Sequence, residues 1–175
     1  SPGASTLWAS APGYESEYWT STGGTPDGEQ AEVLELLHGQ VVEGIDFSLN
    51  KLPVLSGTVS DAAGNAIDGA TVVVSRTGWC CDAVHTDQTG HYELLLSGLG
   101  TYKLNAWVNG YVSEYWTSTG GTPDEALAEP VAATSYGELL TGYDFSLAVK
   151  AKLRGTVVDI GGNPLEDAIV EVYPV

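Results

Sequence analysis

Gly13-Tyr14-Glu15-Ser16-Glu17-Tyr18-Trp19-Thr20-Ser21-Thr22-Gly23-Gly24-Thr25-Pro26-Asp27 returns at residues 110–124 with a single difference, Glu15 against Val112. Fifteen residues with one mismatch in a 175-residue chain are an internal repeat, and the units have to be drawn before any motif inside them is interpreted. The copies stand 97 positions apart (110 − 13), the usual size of a small sandwich domain.

Working outward, each copy is followed by a second matching stretch. Gly44-Ile45-Asp46-Phe47-Ser48-Leu49 reappears as Gly142-Tyr143-Asp144-Phe145-Ser146-Leu147, alternating apolar and polar residues as a strand does. A third match lies beyond Lys150: Leu153-Arg154-Gly155-Thr156-Val157-Val158-Asp159 repeats the pattern of Leu55-Ser56-Gly57-Thr58-Val59-Ser60-Asp61 at an offset of 98 (153 − 55). Residues 162–168 then match 64–70, and 169–173 match the strand after it. The chain therefore divides into the back half of one unit (1–50), a whole unit (51–150) and the first strands of another (151–175).

The expected class is all-β: seven-stranded antiparallel sandwiches in tandem, with partial repeats at both ends. Strand formers and turn residues alternate along the chain, without a run of helix formers. Strands are expected at 5–9, 17–20, 54–60, 70–74, 83–86, 92–96 and 102–107, with a polar loop at 21–27. Residues 31–37 have a helical composition, but their counterpart 128–134 carries Pro130 and β-branched residues, so both are read as strands. Gly64 and Asn65 suit a turn, and Asp87-Gln88-Thr89-Gly90 reads as the turn of a hairpin.

Six basic residues against 23 acidic ones give a net charge of −17. Such a chain repels phosphate backbones and anionic lipid, which disfavours nucleic acid and membrane surfaces as partners. No stretch reaches the apolar length of a membrane span. With no methionine, Ser1 is read as a position within a processed or longer product.

Residues 53–150 resemble the carboxypeptidase regulatory-like domains, the transthyretin-like or prealbumin-like sandwiches. The resemblance is carried by Gly57-Thr58-Val59, Asp61, Gly64-Asn65, Ile67, Gly69-Ala70 and Val72, then by Thr86-Asp87, Gly90, Tyr92 and Leu94. It continues with Gly100, Tyr102, Leu104, Ala106 and Gly110-Tyr111. It implies a non-catalytic spacer, stalk or adhesin module at the cell surface or outside the cell, with no cofactor. Related Cna-B-like domains can carry Lys–Asn isopeptide bonds; the lysines here are Lys51, Lys103, Lys150 and Lys152, and no Asn stands at the matching end of the closing strand in the whole unit.

Few residues invite chemistry. Cys80-Cys81 can close a vicinal disulfide, remain as thiols or bridge to neighbouring subunits, and with Trp79 alongside a vicinal bond suggests an apolar platform for a sugar ring. Tyr18, Trp19, Tyr115 and Trp116 form a second candidate glycan face, although packing within a sandwich is the commoner use of such residues. His85 and His91 flank the 87–90 turn, and loops near Asp61, Asp68 and Asp124 offer oxygen ligands for calcium without the spacing of an EF-hand. No nucleophile elbow, phosphate loop or zinc-protease motif occurs, so no enzyme is expected. The Thr- and Ser-rich loops at 20–25 and 117–122 are candidate O-glycosylation sites.

The phase of the repeats carries the functional expectation. A lone two-stranded tail is marginal in water and its edges seek partners. Leu153, Val157, Ile169 and Val172 at one end, with Leu7 and Trp8 at the other, are the expected assembly strands. Their partners are either copies of the same chain, joined head to tail, or flanking repeats that continue covalently. Both give a fibre or stalk.

Overall fold

β-Branched and aromatic residues keep this backbone extended, and glycines at positive φ, such as Gly64 and Gly90, punctuate it. The structure is a computed structural model that describes residues 3–76 and 79–173, with 79–81 described by backbone alone. Five short strands make up the head: β1 (Gly3–Ser5), β2 (Trp8–Ala9), β3 (Glu17–Thr20), β4 (Gly23–Thr25) and β5 (Leu34–Leu36). Nine more form the central body: β6 (Val54–Asp61), β7 (Thr71–Arg76), β8 (Trp79–His85), β9 (His91–Leu95), β10 (Gly100–Trp107), β11 (Glu114–Tyr115), β12 (Val131–Ala133), β13 (Leu139–Leu140) and β14 (Phe145–Leu147).

Two sheets face each other in the body. One runs β8–β7–β10, with β11 and β12 both pairing the far side of β10. The other centres on β6, with β9 on one side and β13 and β14 sharing the other. Alternation along β10 buries Tyr102, Leu104 and Ala106 and turns Lys103 outward. These meet Leu55 and Val59 from β6, Val72 and Val74 from β7, Tyr92 from β9, and Phe145 and Leu147 from β14.

Six expectations need correction. β13 and β14 run parallel to β6, so the sandwich is not wholly antiparallel: the chain crosses over from β12 in the opposite sheet, and a crossover delivers a parallel strand. The 87–90 turn is not a hairpin, because β8 pairs with β7 while β9 pairs with β6. It is an arch between the sheets, held by buried Thr86, whose Oγ1 donates to the Ile67 carbonyl (2.6 Å) and accepts from Ala70 N (2.8 Å). The polar loop 21–27 contains β4, which folds back on β3, and the strand within 31–37 is confined to Leu34–Leu36. Residues 44–49, expected as a strand, and 153–159 and 169–173, the tail strands, form none.

Candidate assembly interface

The two copies of the repeat fold alike. β1 pairs β5 as Gly3↔Leu36, Ala4↔Glu35 and Ser5↔Leu34, the register that the first half of β10 keeps with β12 (Gly100↔Ala133, Thr101↔Ala132, Tyr102↔Val131). Trp8↔Tyr18 and Ala9↔Glu17 reproduce Asn105↔Tyr115 and Ala106↔Glu114. Trp19 N donates to the Leu7 carbonyl at 2.9 Å, and Trp116 N donates to that of Leu104 at 3.0 Å. Asp27 and Asp124 cap the 3-10 turns that follow, accepting from Glu29 N and Ala126 N, each at 2.9 Å.

What differs is the neighbouring strands. In the body, β7 pairs β10 and β6 pairs β14, and Leu104, Ala106, Phe145 and Leu147 are all buried between the two sheets. Their head counterparts Leu7, Ala9, Phe47 and Leu49 are only half-buried, and 44–49 has no strand beside it. The head is a half-sandwich with an open inner face.

The tail carries counterparts of β6 and β7. Leu153, Val170 and Val172 are 80%, 73% and 71% exposed, whereas their counterparts Leu55, Val72 and Val74 are 0%, 0% and 2% exposed. Its turn is already formed. Asp159 Oδ1 accepts from Asn163 N (2.8 Å) and Oδ2 from Asn163 Nδ2 (2.9 Å), as Asp61 does from Asn65 N and Nδ2, both at 2.9 Å. Hydrogen bonds from the two Asn side chains, then from their backbone, hold Asp61 and Asp159 below the usual carboxylate range.

Glycine use in the two halves is telling. A Cβ on Gly57 would strike the Tyr143 carbonyl, which crosses β6 there. Gly155, its counterpart in the tail, has nothing within 4 Å. Beside Gly57, Asp144 Oδ1 accepts from both Thr58 N and Thr58 Oγ1 at 2.8 Å, and Tyr92 Oη donates to the Tyr143 carbonyl at 2.6 Å. Burial, with the nearby Asp144 charge behind it, pushes the Tyr92 phenol strongly up.

Head and body meet at Glu15, the one position where the repeats differ. Glu15 N donates to the Asn50 carbonyl (2.8 Å), and its carboxylate accepts from Tyr136 Oη. That hydrogen bond, with partial burial and the charges of Glu15 and Glu17, pushes the Tyr136 phenol up to about 12.

The residues singled out in the sequence fall as follows. Ile169 and Trp8 correspond to Thr71 and Asn105, on the opposite sheet face from Val72 and Leu104; the inward residues are Val170 and Leu7, which strict alternation could have identified. Val157 and Val172 correspond to core residues Val59 and Val74. Tyr115 Oη donates to Glu125 (3.3 Å) and Trp116 packs on Tyr143 with ring centroids 4.8 Å apart. Tyr18 and Trp19 lie in β3, half-buried. The side chains of Trp79, Cys80 and Cys81 lie outside the described residues. His85 Nδ1 is 3.2 Å from Thr71 Oγ1, and among the described residues no three His, Cys, Asp or Glu side chains converge as metal ligands.

Residues 54–128 match the family model of the carboxypeptidase regulatory-like domain. No curated protein matches the chain. Among solved structures, a catechol 1,2 dioxygenase mutant from Acinetobacter radioresistens is 16% identical, with a TM-score of 0.38 over 63% of this chain and 56% of that one. A carbohydrate-binding candidate from Bacteroides uniformis is 14% identical, with a TM-score of 0.36 over 59% of this chain and 48% of its own. A streptococcal ancillary pilin is 15% identical, with a TM-score of 0.36 over 82% of this chain and 40% of its own. The chain thus spans 56% of the length of the first of these.

Proposed function

Taking residues 54–128 as a carboxypeptidase regulatory-like domain, we propose that the chain is a non-catalytic structural repeat of an extracellular fibre or surface stalk, its open sandwiches completed by strands of neighbouring units. The observation that carries this reading is the residue-by-residue correspondence between the uncovered tail and the strands β6 and β7 that close the body. An apolar strand pair left in water exposes both side chains and unpaired backbone groups, and addition to an open sheet satisfies both at once. Each apolar side chain so covered contributes on the order of 1.5–3 kcal/mol before the cost of ordering the tail. The acidic surface keeps the units soluble and apart except where strands interlock.

Hydrogen exchange tests this with a chain lengthened ahead of Ser1 by a copy of residues 51–97, which supplies the covering strands covalently. Amides of residues 5–49 are expected to exchange at least about 100-fold more slowly in the lengthened chain than in the dilute original. Equal protection in both, at the level of β6 and β10, would show that the head is already closed and would reject the reading.

A further inference from the structure

We infer that the open head of one copy receives residues 153–173 of a second copy, so that chains join head to tail. This deepens the structural role proposed above and rests on it.

The receiving contacts follow from an interface the chain already makes within itself. Val59 pairs Phe145, and Val72 pairs Ala106. Carried over by the repeat, Val157 of one copy lies beside Phe47 of the other, and Val170 beside Ala9. Thr58 N and Oγ1 both reach Asp144, and the same two donors on Thr156 meet Asp46, which is exposed and holds the matching place in the head. The Gly155 position supplies an independent sign. Nothing in its own surroundings requires a glycine, yet the equivalent Gly57 must lack a side chain because a backbone carbonyl crosses there. Ile45 holds the crossing position in the head. Gly155 thus leaves room for backbone that a second copy brings.

Head and tail are different surfaces, so the contact is heterologous; repeated without closure it yields a filament. Every copy carries a charge of −17, so added salt, which shortens the range of repulsion to about 10 Å at 0.1 M, strengthens joining.

Light scattering on size-fractionated chains of residues 1–175 tests this. The natural chain is expected to form a concentration-dependent ladder that lengthens with salt. Gly155→Val blocks the tail without touching its own fold, and Phe47→Asp blocks the head; each alone should be monomeric. An equimolar mixture should give a 1:1 dimer and stop, because only one tail and one head remain competent. Should Phe47→Asp fail to fold, Asp46→Ala, at an exposed site, should weaken the ladder at least tenfold. A ladder from Gly155→Val equal to that of the natural chain, or a compact natural monomer with a protected tail, would overturn the inference. If natural chains stay monomeric while the covalently lengthened chain protects residues 5–49, completion by neighbours stands and the second copy falls. An unprotected lengthened chain removes both.

Discussion

In both copies of the long repeat, the second glycine of the Gly-Gly pair answers to space and the first to backbone angle. Gly23 and Gly120 have φ of 131° and 119°. Gly24 and Gly121 do not need positive φ, but a Cβ on either would run into the carboxylate of buried Glu17 or Glu114. On Gly121 it would also come within 2.8 Å of Glu114 Cβ, so swinging the carboxylate aside does not relieve the clash. Glu114 Oε1 lies 3.4 Å from Ala148 N, and Glu17 Oε1 accepts from Asn50 Nδ2 at 3.0 Å; both tie the repeat to the end of the closing segment. Gly121→Ala is therefore expected to destabilise the body by about 1–3 kcal/mol, read as a lower urea midpoint with an unchanged slope. The repeat made these residues visible in the sequence. The partner that demands them is seven positions distant (24 − 17 and 121 − 114) on no periodic pattern, and only the folded chain reveals it.

Among elements, the arch between β8 and β9 joins the two sheets. Asp87 Oδ1 accepts from Thr89 N (2.8 Å), Thr89 Oγ1 (2.7 Å) and His91 N (3.0 Å), and the Gly90 carbonyl accepts from Val59 N at 2.7 Å. The Thr89 hydroxyl bond, then the backbone donors, hold the Asp87 carboxyl below the usual range. A folded pKa below the unfolded one means that the arch contributes in full above about pH 4 and loses that contribution as pH falls through the depressed value. Asp87→Asn should flatten the acid limb of the melting temperature below about pH 4, while a parallel pair of curves would show that the turn carries no such coupling. The turn residues were legible in the sequence; the sheets they join were not. Turn chemistry specifies how sharply the chain bends, whereas the choice between hairpin and arch depends on which distant strand each arm finds.

Across the whole molecule, the contact between Glu15 and Tyr136 ties the half-sandwich to the body. Because the folded Tyr136 phenol titrates at about 12, above its ordinary value near 10, its contribution is full below about pH 10 and is lost as pH rises through about 12. Ultraviolet titration should lose its component near pH 12 in Tyr136→Phe and shift that component down in Glu15→Gln; an unchanged profile in both would place the high-titrating phenol elsewhere. Glu15→Val, which makes the first copy match the second, should remove the same component. The single mismatch in the repeat is thus the residue that marks a junction between successive units.

Residue order alone determined that the chain is all-β, that three stretches recur 97 or 98 positions apart, and that the tail copies the strands opening the body. Local alternation and near-identical repeats are properties of neighbouring residues, and they survive without a fold. Tertiary structure decided that β13 and β14 run parallel to β6 and that the 87–90 turn bridges two sheets. It also decided that the same Gly-Tyr-Glu/Val motif sits on a closed core in one copy and an open one in the other. Burial depends on what is brought across from far along the chain, and a strand of fixed sequence is core or surface according to whether that partner is there.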